Sequence, residues 1–197
     1  MNKIGKLVPE TTALFVCDIQ TKFVPLIHQM PKVILNTKYT MKACNILNIP
    51  IIITEQYPKA LGNTVDELES KKQKYVFEKT LFSMLTNEVQ KTLDTDLKGV
   101  KSILLTGIES HVCVFQTSLD LIEKGYDVHI LEDAVSSQNP SDRAIAIERL
   151  KQSGVFVTST ESAIFQLTKD AKHPNFKLIS NLVKERIDLL SPLKGQL

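Results

Sequence analysis

The sequence predicts an α/β fold, a three-layer αβα arrangement around a doubly wound, six-stranded parallel sheet, and three observations predict it. Short apolar runs recur at 13–17, 51–53, 75–77, 101–106, 127–131 and 155–157, with the length expected of strands buried on both faces. Segments of helical spacing separate most of them, and Gly99, Gly125 and Gly154 stand where helices should end. The connections are short. Such an alternation leaves a parallel sheet with helices on both faces as the consistent architecture.

In chain order, the run 13–17 ends abruptly in Asp18, so a central strand delivers a carboxylate to its C-terminal edge. A polar and aromatic loop over 18–25 precedes a helix at about 31–47, with Pro31 in its first turn. Pro50 leads into strand 51–53, and Pro58 and Gly62 break the loop that follows. The charged stretch 65–74 is expected to be solvated and weakly helical. Strand 75–77 ends in Glu78-Lys79, and a helix over 84–97 stops before Gly99. Gly107 interrupts the run 101–106 where the backbone must turn, and a helix starts near Cys113. Val112, Phe115, Leu119 and Ile122 recur at three- and four-residue steps, which predicts that this stripe faces the core with Cys113 one position off it. Strand 127–131, helix 141–153, strand 155–157 and helices at 161–167 and 174–184 complete the chain. No repeat, low-complexity tract or linker divides it.

With 197 residues, 43% hydrophobic and 23% charged, the chain is expected to form one domain, 1–197, with its core at about 8–184 and a disordered tail over 191–197. Lys+Arg 24 against Asp+Glu 22 gives a net charge of +2, too close to neutral for a nucleic-acid or anionic-membrane partner. A small neutral or mildly anionic substrate is expected instead. Cys17, Cys44 and Cys113 are odd in number and widely spaced, without a zinc or disulfide pattern, which points to a reducing compartment. The N-terminus lacks the long apolar core of a signal peptide and no segment approaches a membrane span. A soluble, cytoplasmic protein is the expectation.

Asp18, Lys79 and Cys113 lie at or just past strand ends, where doubly wound sheets bind their ligands. Orphan N–H groups and the positive end of the helix dipole stabilise an anion at a helix start. Each residue has a plainer reading: Cys113 as an inert core thiol, Asp18 as a loop cap, Lys79 as a solvated side chain. Together they make a nucleophilic site, in which the carboxylate takes the thiol proton and passes it to a leaving group, and the ammonium orients the carboxylate. Gln20, Phe23, Gln56, Tyr57 and Phe82 are candidate substrate-binding residues on the edge loops. His111, two positions before Cys113, points largely away from the thiol, so it suits the pocket rim rather than a Cys–His dyad. Glu55 is expected to be a solvated loop acid, and Cys17 and Cys44 to be inert core residues. The four histidines show no ligand spacing, and the seven glycines form neither G-x-G-x-x-G nor a P-loop, so no metal and no cofactor is expected.

Phe15-Val-Cys-Asp-Ile-Gln20 with Phe23, Glu78-Lys79, and Gly107-Ile-Glu-Ser-His-Val-Cys-Val114 resemble the isochorismatase-like cysteine hydrolases, a superfamily that includes the nicotinamidases. Ile53-Thr-Glu-Gln-Tyr-Pro-Lys59, Phe82-Ser-Met84 and Glu132-Asp-Ala-Val-Ser-Ser137 narrow the resemblance to the eukaryotic isochorismatase domain-containing proteins, and it spans about 8–184. It implies a triad of Asp18 as general base and acid, Lys79 as electrostatic partner and Cys113 as nucleophile. It also implies a cis peptide at Ile108–Glu109, an oxyanion hole from the backbone N–H groups of Glu109 and Cys113, and a homo-oligomer, dimer or higher. Nicotinamidases carry an Asp-x-His metal cluster after the second strand, where this chain has Thr54-Glu-Gln-Tyr57. The reading that results is a cofactor-free cysteine hydrolase of a small amide or related substrate. The alternatives are a weakly active or inactive scaffold of the same fold that binds a partner, and a redox-sensing thiol at Cys113.

Overall fold

The computed structural model describes residues 4–191. Strands β1 (Thr12–Cys17), β2 (Ile51–Gln56), β3 (Tyr75–Lys79), β4 (Ser102–Ile108), β5 (Asp127–Ser136) and β6 (Phe156–Thr158) form one sheet in the order β3-β2-β1-β4-β5-β6. Every pairing is parallel. The chain winds outward from β1 to β3, returns to the other side of β1 as β4, and continues to β6. The order therefore reverses between β1 and β4, and the crevice beyond their C-terminal ends is the switch point where such sheets bind ligands.

The two-residue period of a strand divides the core. Leu14, Val16, Ile51, Ile53 and Leu104 face one side, where Met30, Val33, Met41 and Cys44 of α1 (Met30–Ile46) and Ala163 and Leu167 of α6 (Thr160–Thr168) cover them. Ala13, Phe15, Cys17, Ile103 and Leu105 face the other, under α3 (Asn87–Asp94), α4 (Cys113–Glu123) and α5 (Pro140–Gln152). Helix α7 (Phe176–Leu190) packs outside α1 and α6 through Ile179, Leu182 and Val183. A four-residue helix, α2 (Pro58–Leu61), follows β2. No helix among the described residues is long and apolar enough to cross a membrane.

Several expectations change. The stripe of α4 on the sheet is Val114, Thr117, Ser118 and Leu121, with buried Cys113 in line with it, while Phe115, Leu119 and Ile122 are half-buried at its flank. Pure apolar spacing misses this because Thr117 and Ser118 return their hydroxyls to the carbonyls of Cys113 and Val114, which makes them compatible with burial. Strand β4 runs through Gly107 rather than ending before it: the register with β5 jumps from Leu105 opposite Ile130 to Gly107 opposite Val135. That irregularity also lengthens β5. The stretch 65–74 forms two 3-10 turns with its charged side chains exposed, as expected, but Val65 and Leu68 are anchored in the core under α1. Helix α3 starts only at Asn87, where the Thr86 hydroxyl caps it by accepting from the N–H of Val89 at 3.3 Å. Of the tail expected to be disordered, all but Ser191 lies outside the described residues.

Candidate active site

Three strand ends and one helix start build the site. Asp18 follows β1 directly with a φ of 53°, a left-handed turn that an aspartate tolerates better than most residues. Its carboxylate is almost completely buried: Oδ1 accepts from the Thr54 hydroxyl at 2.8 Å, and Oδ2 accepts from the Lys79 ammonium at 2.7 Å. Lys79, at the end of β3, crosses β2 to reach it. Its two remaining N–H groups are shared among Gln56 Oε1 at 2.7 Å and the carbonyls of Leu81 and Phe82, each at 3.0 Å. Burial by itself would lower the Lys79 pKa, but the negative charge that Cys17, Asp18 and Cys113 can carry outweighs it, and the pKa stands above the ordinary lysine value. The ammonium form is thereby secured.

Cys113 is the first residue of α4, and the residue before it, Val112, offers no side-chain cap. The carbonyl of Glu109 accepts from the N–H groups of Val112 at 2.9 Å and Val114 at 3.2 Å, which folds the 109–112 turn under the helix start. The sulfur of Cys113, a carboxylate oxygen of Asp18 and the sulfur of Cys17 lie within 4.8 Å of one another. Cys17 was expected to be inert core. It is fully buried, but strand alternation puts it on the α4 side of β1, and its thiol donates to Asp18 Oδ2 at 3.5 Å. Burial first, then its contact with the Cys113 thiol and the charge of Asp18, push the Cys17 pKa well above the ordinary thiol value.

A cavity of about 610 Å³ opens over Cys113, which is 7% exposed. Phe23, Gln56, Tyr57, Phe82 and His111 line it, as do Glu109, Gln138 and Asp142, which sequence reading did not assign to the wall. Gln20 does not line it. Its side chain is wholly buried, donating to the carbonyls of Gln56 at 2.9 Å and Gly62 at 2.6 Å and accepting from the N–H of Gln56 at 2.7 Å, so it brackets the loop that carries the wall. His111 Nδ1 faces Ser137 Oγ at 3.0 Å and Glu109 Oε2 at 3.4 Å, at the rim. Glu55 is not a solvated acid: Oε1 accepts from the Thr64 N–H and hydroxyl, each at 2.7 Å, and Oε2 from Asn63 at 3.0 Å.

The cis peptide expected at Ile108–Glu109 is absent: no peptide bond among the described residues is cis. The backbone reverses there through positive φ instead, 130° at Gly107 and 47° at Glu109. Glycine is required at 107, because a Cβ there would stand 2.2 Å from the Cys17 carbonyl oxygen and 2.6 Å from Cys17 Cβ. Among the described residues, Cys17, Asp18 and Cys113 also form a three-ligand cluster by distance. The Lys79 ammonium already holds that carboxylate, so a metal cation there would have a buried positive charge beside it.

The Isochorismatase domain matches residues 12–162. Isochorismatase family protein 1B of Dictyostelium discoideum is 56% identical over 192 residues, covering 95% of this chain and 93% of that protein. Among solved structures, the MAR1 ribonuclease from Caenorhabditis elegans superposes with a TM-score of 0.86 at 42% identity, covering 90% of this chain and 92% of that one. The YcaC gene product of Escherichia coli, an octameric hydrolase of unknown specificity, shares the fold over 100% of both chains, with a TM-score of 0.83 at 21% identity. Matched across its sheet and more than half identical to a relative along nearly its whole length, the chain belongs to the isochorismatase-like hydrolase family.

Proposed function

We propose that the protein is a cofactor-free cysteine hydrolase that cleaves a small amide or a related acyl compound. The observation that carries this reading is the meeting of a buried Asp18–Lys79 ion pair with the one thiol that lines the cavity, Cys113. Asp18 takes the proton of Cys113, and the sulfur attacks the substrate carbonyl carbon. The N–H groups of Glu109 and Cys113 receive the oxyanion, an interaction worth about 2.7–4 kcal/mol per donor in comparable sites. Asp18 returns the proton to the leaving amine, leaving a thioester on Cys113. Water, deprotonated by Asp18, then releases the acid. Lys79 stays protonated throughout and keeps the carboxylate aimed at the sulfur.

The lining bears on the substrate. Glu109 and Asp142 place two carboxylates on the wall, no lysine or arginine among the described residues lines it, and Phe23, Tyr57 and Phe82 supply aromatic surface. A neutral or cationic amide suits these walls better than the mildly anionic substrate that net charge suggested, and better than a phosphodiester, although one structural neighbour bears the name ribonuclease. Half-exposed Leu81 and Phe82 beside the cavity support a homo-oligomer, dimer or higher, covering this rim. Three unbridged cysteines support a cytoplasmic location.

The test is a panel of small neutral, cationic and anionic amides incubated with the protein and read by intact mass and product release. A Cys113 adduct and turnover are expected for neutral or cationic members in the wild type, with neither in Cys113→Ala, and with turnover lost in Asp18→Ala. Turnover that survives Cys113→Ala would overturn the mechanism. A folded wild type that takes no adduct from any member would favour the scaffold reading.

A further inference from the structure

Cys17 has no part in the hydrolytic cycle, yet its sulfur lies within 4.8 Å of the Cys113 sulfur, behind the nucleophile as seen from the cavity. We propose that Cys17 is the resolving thiol for Cys113, so that a hydroperoxide converts the pair into an internal, reversible disulfide.

Access sets the order of events. Cys113 lines the cavity, whereas Cys17 is sealed inside the sheet, so a peroxide meets Cys113 first. Cys44, the third thiol, belongs to the core on the opposite face of the sheet and cannot reach either partner. The Cys113 thiolate attacks one peroxide oxygen; the O–O bond breaks, an S–O bond forms, the sulfur is oxidised by two electrons to the sulfenic acid, and the alkoxide or hydroxide leaves with a proton as alcohol or water. Cys17 then attacks the Cys113 sulfur. Its proton passes to Asp18, which accepts a hydrogen bond from that thiol at 3.5 Å, and from there to the departing hydroxide, so water leaves as the S–S bond forms. Two thiols and one hydroperoxide thus give one disulfide, one alcohol or water, and one further water.

The local geometry allows closure. A disulfide needs its sulfurs at about 2.05 Å, so the two thiols, already within 4.8 Å, must turn towards each other to close the bridge. Gly107 lies opposite Cys17 in the register of β1 and β4, where the two backbones approach so closely that Cys17 is held at a fixed position beside α4. Elevation of the Cys17 pKa by burial keeps it a thiol held in reserve beside a base, rather than a second target for oxidant. The bridge would shield the nucleophile from the irreversible sulfinic and sulfonic acids and would stop catalysis until a thiol reductant opened it.

The test treats the purified protein with a small excess of hydrogen peroxide, blocks remaining thiols under denaturing conditions, and maps the cysteines by mass spectrometry. Expected in the wild type and in Cys44→Ala are loss of two hydrogens, a Cys17–Cys113 cross-linked peptide, and iodoacetamide labelling of Cys113 that vanishes with peroxide and returns with dithiothreitol. In Cys17→Ala and Cys17→Val, with Cys113 labelled normally before oxidation, the return should be lost and sulfinic acid should accumulate on Cys113. Sulfinic acid forming equally in the wild type, or a bridge involving Cys44 or a second chain, would overturn the proposal. Mapping of the wild-type bridge decides the matter even where a Cys17 variant folds poorly. Because every readout is thiol chemistry, amide turnover without the bridge would sink this inference alone, and the bridge without turnover would sink only the hydrolase reading.

Discussion

Asp18 and Lys79 are each intelligible only through the other. A carboxylate and an ammonium removed from water at 2.7 Å retain their charges because each satisfies the other and further hydrogen bonds complete both shells. Lys79→Met should therefore strand a buried anion and lower stability by roughly 3–5 kcal/mol in urea denaturation. Adding Asp18→Asn, which tolerates the same positive φ, should restore much of that loss while leaving the protein inactive. A double variant no more stable than Lys79→Met would show that the pair is not the coupled unit described. Asp18 and Lys79 stand out in the sequence because each ends an apolar run, and Cys113 because it sits at a helix start just past a strand and a glycine. Cys17 is core, as its apolar run suggests, but its thiol bond to Asp18 is invisible in the sequence, and a glutamine in a loop such as Gln20 looks available to ligand until its neighbours are known.

At the scale of elements, the ends of β1 and β4 approach so closely that only the missing side chain of Gly107 lets them pair. Gly107→Ala adds overpacking of about 1–3 kcal/mol to backbone strain of about 1–3 kcal/mol. The expected result is a large fall in urea midpoint together with slowed alkylation of Cys113, since the 109–112 turn hangs from this strand. An alanine variant with wild-type stability and labelling would contradict the close approach. Strand and helix identities were readable from apolar period and punctuation, yet the bulge in β5 opposite Leu105–Gly107, the length of β5 and the late start of α3 were not. Those boundaries depend on a neighbouring strand's register and on a threonine cap, which a one-dimensional pattern records weakly.

Across the whole molecule, a buried neutral histidine couples folding to pH. His129 stacks on Phe156 with ring centroids 5.0 Å apart, and burial, only partly offset by the charge of Asp127, lowers its pKa from 6.5 to about 4. The unfolded chain binds a proton below about 6.5 that the folded chain refuses until about 4. The contribution of His129 to stability is thus present above that range, declines as pH falls through it and levels off below. Melting temperatures from pH 7.5 to 4, as rough limits of the window, should fall less steeply for His129→Leu than for the wild type. Parallel curves would mean that carboxylates, not this imidazole, set the acid limb.

The sequence by itself determined the layer architecture, the parallel sheet and the polar residues that end buried runs at its C-terminal edge, because strand and helix periods are local and such a residue is conspicuous. Only the tertiary structure decided which residues face one another. The order β3-β2-β1 sets Lys79 across β2 from Asp18, the reversal between β1 and β4 brings the Cys113 helix start to the same crevice, strand alternation turns Cys17 towards Cys113, and positive φ at Gly107 and Glu109 makes the turn for which a cis peptide had been expected. Those outcomes follow from packing between segments far apart in the chain, where one residue's neighbours are set by every other strand's position in the sheet.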